Sequence, residues 1–500
     1  MLGQWKIAAA ALAATALVAL SGQSALAAEP LKVGLTFLNQ SLDPAKGSDG
    51  WSLVSEGVGE TLFTVDKKGV LTGQLAQSAR RLSDHEWEVR LTAGRMFSDG
   101  TPVDAKAVSA ALNHTIAVNK AALATGGKLV FTPSSDLTIR VTTEKPVAAL
   151  GALLAEWPMI VYHLEADGSA RLSGPYAVKS FKPDASLELE PNPYFPGADH
   201  RSPVTIQKFG DAQAMALAYE AGDLDLAFGL PSEALARLKA NPDLAVKAFP
   251  VAYQYLGLLN VKNPPLADVV VRRAVDLAID RGQLVAAING GSPATGAFAP
   301  YFPFAGKTQR PSDVEAAKKL LDSAGWRVGA DGIRVKNDKP LVLRIVTYPQ
   351  RPDLVTMLPV VKSDLAAIGA KVETSVVEDP SSVAAAGDFD ILLWAQNTAP
   401  TGDPAFFFNS MLRTGAALNY GGVSDPALDT VLDGFAQESD PAKRAAIAAK
   451  AEAITLKEAQ MLYLVSPDWY VGVSKRLSGY EPWGSDYHVL RADIGETPAH

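Results

Sequence analysis

Not one of the 500 residues is a cysteine. That excludes disulfides, thiolate nucleophiles, thiolate metal sites and the lipidated cysteine that would tether an exported chain to a membrane. Core burial must therefore stabilise the fold, and a hydrophobic content of 48% over this length permits it. Histidine is scarce as well: His85, His114, His163, His200, His488 and His500 are dispersed. No H-E-x-x-H, no G-x-S-x-G elbow and no S-x-x-K with a matching K-T-G occurs, so a secreted hydrolase is the weakest of the alternatives. An excess of positive charge is also missing. The 46 basic and 54 acidic residues leave a net charge of −8, and the basic residues are scattered, which argues against nucleic acid as a partner. Beyond the N-terminus no apolar run is long enough to span a bilayer.

What is present begins with MLGQWKIAAAALAATALVALSGQSALAAEP. Lys6 precedes a short run of Ala, Leu and Val, and Ala25-Leu26-Ala27 supplies the small-x-small pattern of a cleavage site. Residues 1–27 are expected to be a secretory signal peptide. The mature chain is long enough for more than one lobe.

Helices and strands alternate after that segment without low-complexity linkers. HEWEVRL alternates Trp87, Val89 and Leu91 against polar residues, as a half-buried strand does. Ser98-Asp99-Gly100 reads as a turn, and a helix is expected from Thr101 as N-cap, with Pro102 at its first position. In the second half, PSDVEAAKKLLDSAGW carries a capping box from Ser312 to Glu315 and Gly325 as a stop. The strand LVLRIVTYP, a helix ending at Gly369, the strand KVETSVVE and then DFDILLW follow. This is βαβ logic, with a crevice expected at the strands' carboxyl ends. The first half holds more short strands and turns, so mixed α/β describes the whole. YHLEAD aligns His163, Glu165 and Asp167 on one face of an extended segment; a polar strand end explains it better than a metal site.

SARRLSDHEWEVRLTAGRMFSDGTPVDAKAVSAALN resembles the signature region of the large extracytoplasmic solute-binding proteins of the peptide and nickel importer family, family 5. LSGPYAVKSF, NPYF, AYEAGDLDLAFG, YLGLLNVKNPPLADVVVRRAVDLAIDRGQLV, AAKKLLDSAGW and LAAIGAKV resemble further family segments in the expected order. The resemblance implies an α/β, periplasmic-binding-protein-like two-lobed fold (type II, cluster C) with an extra inserted subdomain. Lobe I would comprise residues 28–50, 170–250 and 475–500, the inserted subdomain 51–169, and lobe II 251–474. It also implies a periplasmic monomer that encloses a small-molecule solute and delivers it to an inner-membrane ABC permease. No catalysis and no cofactor are implied.

The resemblance points to three segments for the solute. TYPQRPDLV puts Arg351 at the mouth of the second lobe, where it can clamp a carboxylate through two parallel hydrogen bonds, an ordinary solvated arginine being the alternative. In WAQNTAPTGDPAFFFNSML, peptide-binding relatives place an aspartate soon after the tryptophan. Here that neighbourhood reads Asn397, and an amide cannot neutralise an ammonium group as a carboxylate does. Trp394 is a candidate cleft aromatic or a core residue. In MLRTGAALNYGG, Arg413, Asn419 and Tyr420 stand where nickel-type relatives contact the bound complex; Arg413 either meets a chelator carboxylate or answers a helix dipole. Two arginines without a well-placed acid favour a carboxylate-rich solute such as a nickel or other metal chelate, with a di- or oligopeptide as the alternative. A metal held by protein side chains alone is not expected. Periodicity leaves open which way Trp51, Trp157, Trp394, Tyr255 and Tyr301 face.

Overall fold

The computed structural model describes residues 29–120, 122 and 127–494, so the expected signal peptide lies outside the described residues. Two mixed sheets organise the chain. The first has seven strands in the order Tyr176–Lys182, Ser186–Pro191, Val204–Lys208, Leu31–Leu35, Leu226–Phe228, Asp468–Val473 and Ala245–Pro250. The second has six, in the order Ser292–Pro293, Met461–Ser466, Tyr253–Leu259, Ile391–Asn397, Val342–Thr347 and Lys371–Val376. Each sheet carries its own buried apolar clusters.

The expected βαβ unit forms the far side of the second sheet. Val342–Thr347 pairs in parallel with Lys371–Val376 and with Ile391–Asn397. The connecting helix, Pro352–Ala367, has proline at its first position and Asp353 in its first turn, where a carboxylate complements the helix dipole. It buries Leu354, Met357, Leu358, Val361 and Leu365, a three-and-four spacing that forms one apolar stripe. Gly369, at φ 86°, lets the chain leave the helix at a left-handed position.

The lobes are joined by two very short crossings. Strand Ala245–Pro250 ends in the first sheet and Tyr253–Leu259 begins in the second, leaving only Val251 and Ala252 between them. Met461–Ser466 and Asp468–Val473 are separated by Pro467 alone. The expected division put 251–474 in lobe II. Asp468–Val473 instead pairs with Leu226–Phe228 and Ala245–Pro250, which sets the return crossing at Pro467.

Between Leu31–Leu35 and the rest of the first sheet the chain builds a separate four-stranded antiparallel sheet, ordered Ala76–Arg81, Glu86–Leu91, Thr138–Thr143, Leu129–Ser135. Trp87, Val89 and Leu91 are its buried face, as their alternation requires. Helix Ala105–Val118 covers it. That helix starts later than expected. Thr101 is consumed by the preceding turn, where Asp99 accepts from its N–H and hydroxyl, and Asp104 becomes the cap by accepting from Ala107 N at 2.7 Å. Likewise Asp313, not Ser312, caps helix Val314–Ser323 by accepting from Ala316 N.

Candidate functional site

A cavity of 840 Å³ lies between the two sheets at the crossings, within the range of small-molecule sites. Phe37, Phe228 and Trp469 reach it from the first sheet's side, Trp51 and Trp157 from the stretch of chain between Leu31–Leu35 and Tyr176–Lys182, and the loop from Tyr348 to Asp353 from lobe II. That loop leaves the carboxyl end of Val342–Thr347, the position at which α/β sheets hold ligands.

Arg351 is the cation of this cavity, and among the described residues no lysine or histidine lines it. Its guanidinium lies 5.0 Å from the ring centre of Tyr253 and 5.5 Å from that of Trp469. Tyr253 directly follows the first crossing, and Trp469 stands two residues beyond Pro467. The two rings are themselves 5.1 Å apart. Arg351 belongs to lobe II and Trp469 to the lobe I sheet, so the guanidinium bridges the halves of the molecule at their hinge. Among the described residues no carboxylate pairs with it: the ion pairs within 4 Å all involve other residues. Burial opposes its charge, but Tyr253, Tyr255 and Asp486 more than offset this and hold its pKa above the usual arginine value. A desolvated forked cation without a carboxylate partner is built to receive an oxyanion.

Acidic groups surround it at greater distance. Tyr255 donates to Asp353 at 2.6 Å; burial nevertheless raises the Asp353 pKa. Asp486 is buried and its pKa is raised by that burial, with Arg351 pulling the other way. Asp211 caps helix Ala212–Glu220 by accepting from Ala214 N, and Asp468 accepts from Gly291 N. Just outside the cavity, Glu156 precedes Trp157; burial, reinforced by Asp403, raises its pKa to about 8.

Of the residues expected to read the solute, Arg351 lines the cavity and the other five do not. Trp394 is half-buried in the second lobe, edge-on to Tyr348 at 5.5 Å and to Tyr420 at 6.1 Å. Asn397 is 7% exposed and lies opposite Tyr253 in the antiparallel register. Neither of its amide atoms has a hydrogen-bond partner among the described residues. Arg413 pairs with Asp433 at 2.8 Å and donates to Asn409, so its charge is already answered. Asn419 ties its own loop together by donating to Arg413 O and Val423 O and accepting from Val423 N. Tyr420 packs on Trp394. Trp394 and Asn397 belong to the strand Ile391–Asn397, whose first three side chains are all buried, and Trp394 and Tyr420 pack against the lobe's own apolar cluster.

The aromatics with undecided orientation separate cleanly. Trp51, Trp157 and Tyr255 line the cavity, whereas Tyr301 packs against Phe302 and approaches Gly69 and Gly484. Phe37, Tyr253 and Trp469 were not singled out from sequence. The available signal was the pair of aromatic clusters VAYQY and SPDWY, each beside a proline at a sheet end. In YHLEAD, Asp167 turns away to accept from Ser169 N, and His163 and Glu165 instead neighbour Asp99, their ligand-type atoms within 4.8 Å of one another. This trio does not line the cavity.

Comparison with known proteins agrees with this architecture. Residues 70–419 match the family model of bacterial extracellular solute-binding proteins, family 5. A probable D,D-dipeptide-binding periplasmic protein, DdpA of Escherichia coli, is 24% identical over 495 residues, covering 91% of this chain and 92% of that one. The nickel-binding protein NikA of Staphylococcus aureus is 22% identical, covering 93% and 94%. The solved structure of a nickel ABC transporter protein from Bacillus halodurans superposes with a TM-score of 0.81 at 26% identity, over 93% of this chain and 99% of that one. With two lobes, two short crossings and a cavity between them, the chain belongs to the bacterial extracellular solute-binding proteins of family 5, which are binding proteins and not enzymes.

Proposed function

We propose that this chain is the periplasmic solute-binding component of an ABC importer, a monomer that closes on a small solute bearing a carboxylate and presents it to an inner-membrane permease. The observation that carries the reading is Arg351: a cation without an acidic partner, held by one ring from each side of the hinge. A solute carboxylate placed on it gains charge-assisted hydrogen bonds, and because Trp469 belongs to the opposite sheet, the same contact favours the closed arrangement. Closure is a hinge motion absorbed by Val251, Ala252 and Pro467.

Relatives named for nickel and for peptides keep both solute classes in view. The metal-chelate reading rested on two arginines, and Arg413 is engaged by Asp433 away from the cavity. A polyanionic chelate is therefore less well served than a solute with one carboxylate. Asn397 stands outside the cavity and so does not count against a free peptide amino end, for which the lining carboxylates Asp353 and Asp486 are available. Thermal shift separates the classes: nickel with free histidine and a panel of dipeptides, each at saturating concentration, raise the melting temperature only if they bind the native state. Hydrolysis of an ester or amide by the protein, without any such shift, contradicts the importer reading.

A further inference from the structure

We propose that the solute is an aromatic carboxylate carrying a single negative group, its ring stacked between tryptophans of the cavity. This rests on the reading of Arg351 as the anion receptor and specifies the rest of the solute.

Two independent features of the cavity support it. The first is charge. Arg351 faces lining carboxylates from both lobes and the tail, namely Asp211, Glu233, Asp353, Asp468 and Asp486. One anionic group can be neutralised at Arg351, but a second on the same solute has no cation to meet and lies among acids, a like-charge arrangement that disfavours binding. The second feature is the wall. Of the eight tryptophans in the chain, Trp51, Trp157 and Trp469 line this one cavity and are half-exposed there. Trp51 is backed by Phe37 at 4.5 Å, while Trp469 is held by Phe228 edge-on at 6.3 Å and by Tyr253 at 5.1 Å and carries the Arg351 guanidinium over its ring, so Trp469 seats the cation and Trp51 and Trp157 are left to receive a ring beside it. The three indoles come from two regions of the molecule, the chain between Leu31–Leu35 and Tyr176–Lys182 and the lobe I side of the hinge. A flat ring entering between Trp51 and Trp157 replaces water on several faces at once. Each ring–ring contact is worth a factor of about 2–13 in affinity beyond area burial.

Isothermal titration with matched probes tests the proposal. The native protein is titrated with 3-phenylpropanoate, with 3-cyclohexylpropanoate of the same charge and carbon count, and with 1,4-phenylenedipropanoate, which adds a second carboxylate. The expected result is binding of 3-phenylpropanoate about tenfold tighter than either analogue. Trp51→Leu, checked for native circular dichroism, should narrow the aryl-to-cyclohexyl ratio, and Trp157→Leu provides the same readout if that variant does not fold. Equal affinity for the aryl and cyclohexyl acids, or preference for the diacid, overturns the proposal. Binding of dialanine or nickel–histidine more tightly than of the aryl acid overturns it while leaving the importer reading intact. Failure of the native protein to bind any of these probes counts against both.

Discussion

Replacing Arg351 by alanine should separate binding from stability. In the free protein the guanidinium makes no ion pair, so its removal strands no buried acid within 4 Å. What is lost is two contacts with ring faces, each worth about 0.5–2 kcal/mol, together with the longer-range attraction to the buried Asp486, and what is relieved is the desolvation of a half-buried cation. The two effects oppose one another, and the ligand-free melting temperature should move by less than about 4 °C. Affinity behaves differently. Truncating one partner of a desolvated charge pair costs about 2–5 kcal/mol, or roughly 30- to 4000-fold in dissociation constant. Calorimetry with 3-phenylpropanoate on native protein and Arg351→Ala, with a thermal melt of each, measures both quantities. Arg351→Lys should fall between them, because an ammonium keeps the charge and loses the fork. A dissociation constant within threefold of native, or a ligand-free melt lowered as severely as by breaking a buried ion pair, refutes the reasoning. Arg444→Ala supplies that comparison: Arg444 is buried, its two bonds to Asp403, at 2.8 and 2.6 Å, are largely shielded from solvent, and breaking a buried pair costs about 3–5 kcal/mol.

Further outcomes follow from other parts of the structure. Arg413→Ala should leave solute affinity unchanged in calorimetry, because Arg413 pairs with an exposed Asp433 outside the cavity and such pairs contribute about 0–1 kcal/mol. A Cβ on Gly402 would stand 2.3 Å from Gly69 O, far away in the sequence. Gly402→Ala should therefore hinder closure and weaken binding, whereas Gly387→Ala, at a similar positive φ without that contact, should not; scattering and titration of both variants check this. Glu156 carries a folded-state pKa of about 8 against an ordinary value of 4.5. The folded state thus holds its proton more tightly than the unfolded chain, and stability present below about pH 4.5 is lost as pH rises towards 8. Thermal melts should fall across that window, and Glu156→Gln should flatten the fall; identical slopes for the two proteins contradict the assignment.

Much of the second lobe was legible because its signals are local. The apolar run of LVLRIVTYP and the glycine at 369 each act within a few residues, and the structure keeps both the strand and the helix stop. Arg351 was legible for a related reason: a residue that follows a strand at the carboxyl edge of a sheet has few places to go other than the crevice. The remainder of the cavity is assembled from residues far apart in sequence. Tyr253 and Trp469 meet only because two crossings lie side by side, a non-local fact that no periodicity records. Trp394, Asn397 and the loop carrying Arg413, Asn419 and Tyr420 misled for the converse reason. Ile391–Asn397 lies between two neighbouring strands and is buried from its first residue, so its sequence does not distinguish a side facing the cleft from a side facing the core. Helix starts shifted by a few residues where an aspartate at 104 or 313 outcompeted a nearby threonine or serine as cap.

The central claim is that two lobes close about a hinge on a solute carboxylate received by Arg351. Small-angle X-ray scattering of native protein and Arg351→Ala, each titrated with the same set of carboxylate, dipeptide and nickel–histidine probes, tests it most directly. The account predicts that at least one carboxylate probe contracts the native protein and that none contracts the variant. Native profiles unchanged by every probe, or equal contraction of the variant, would contradict it.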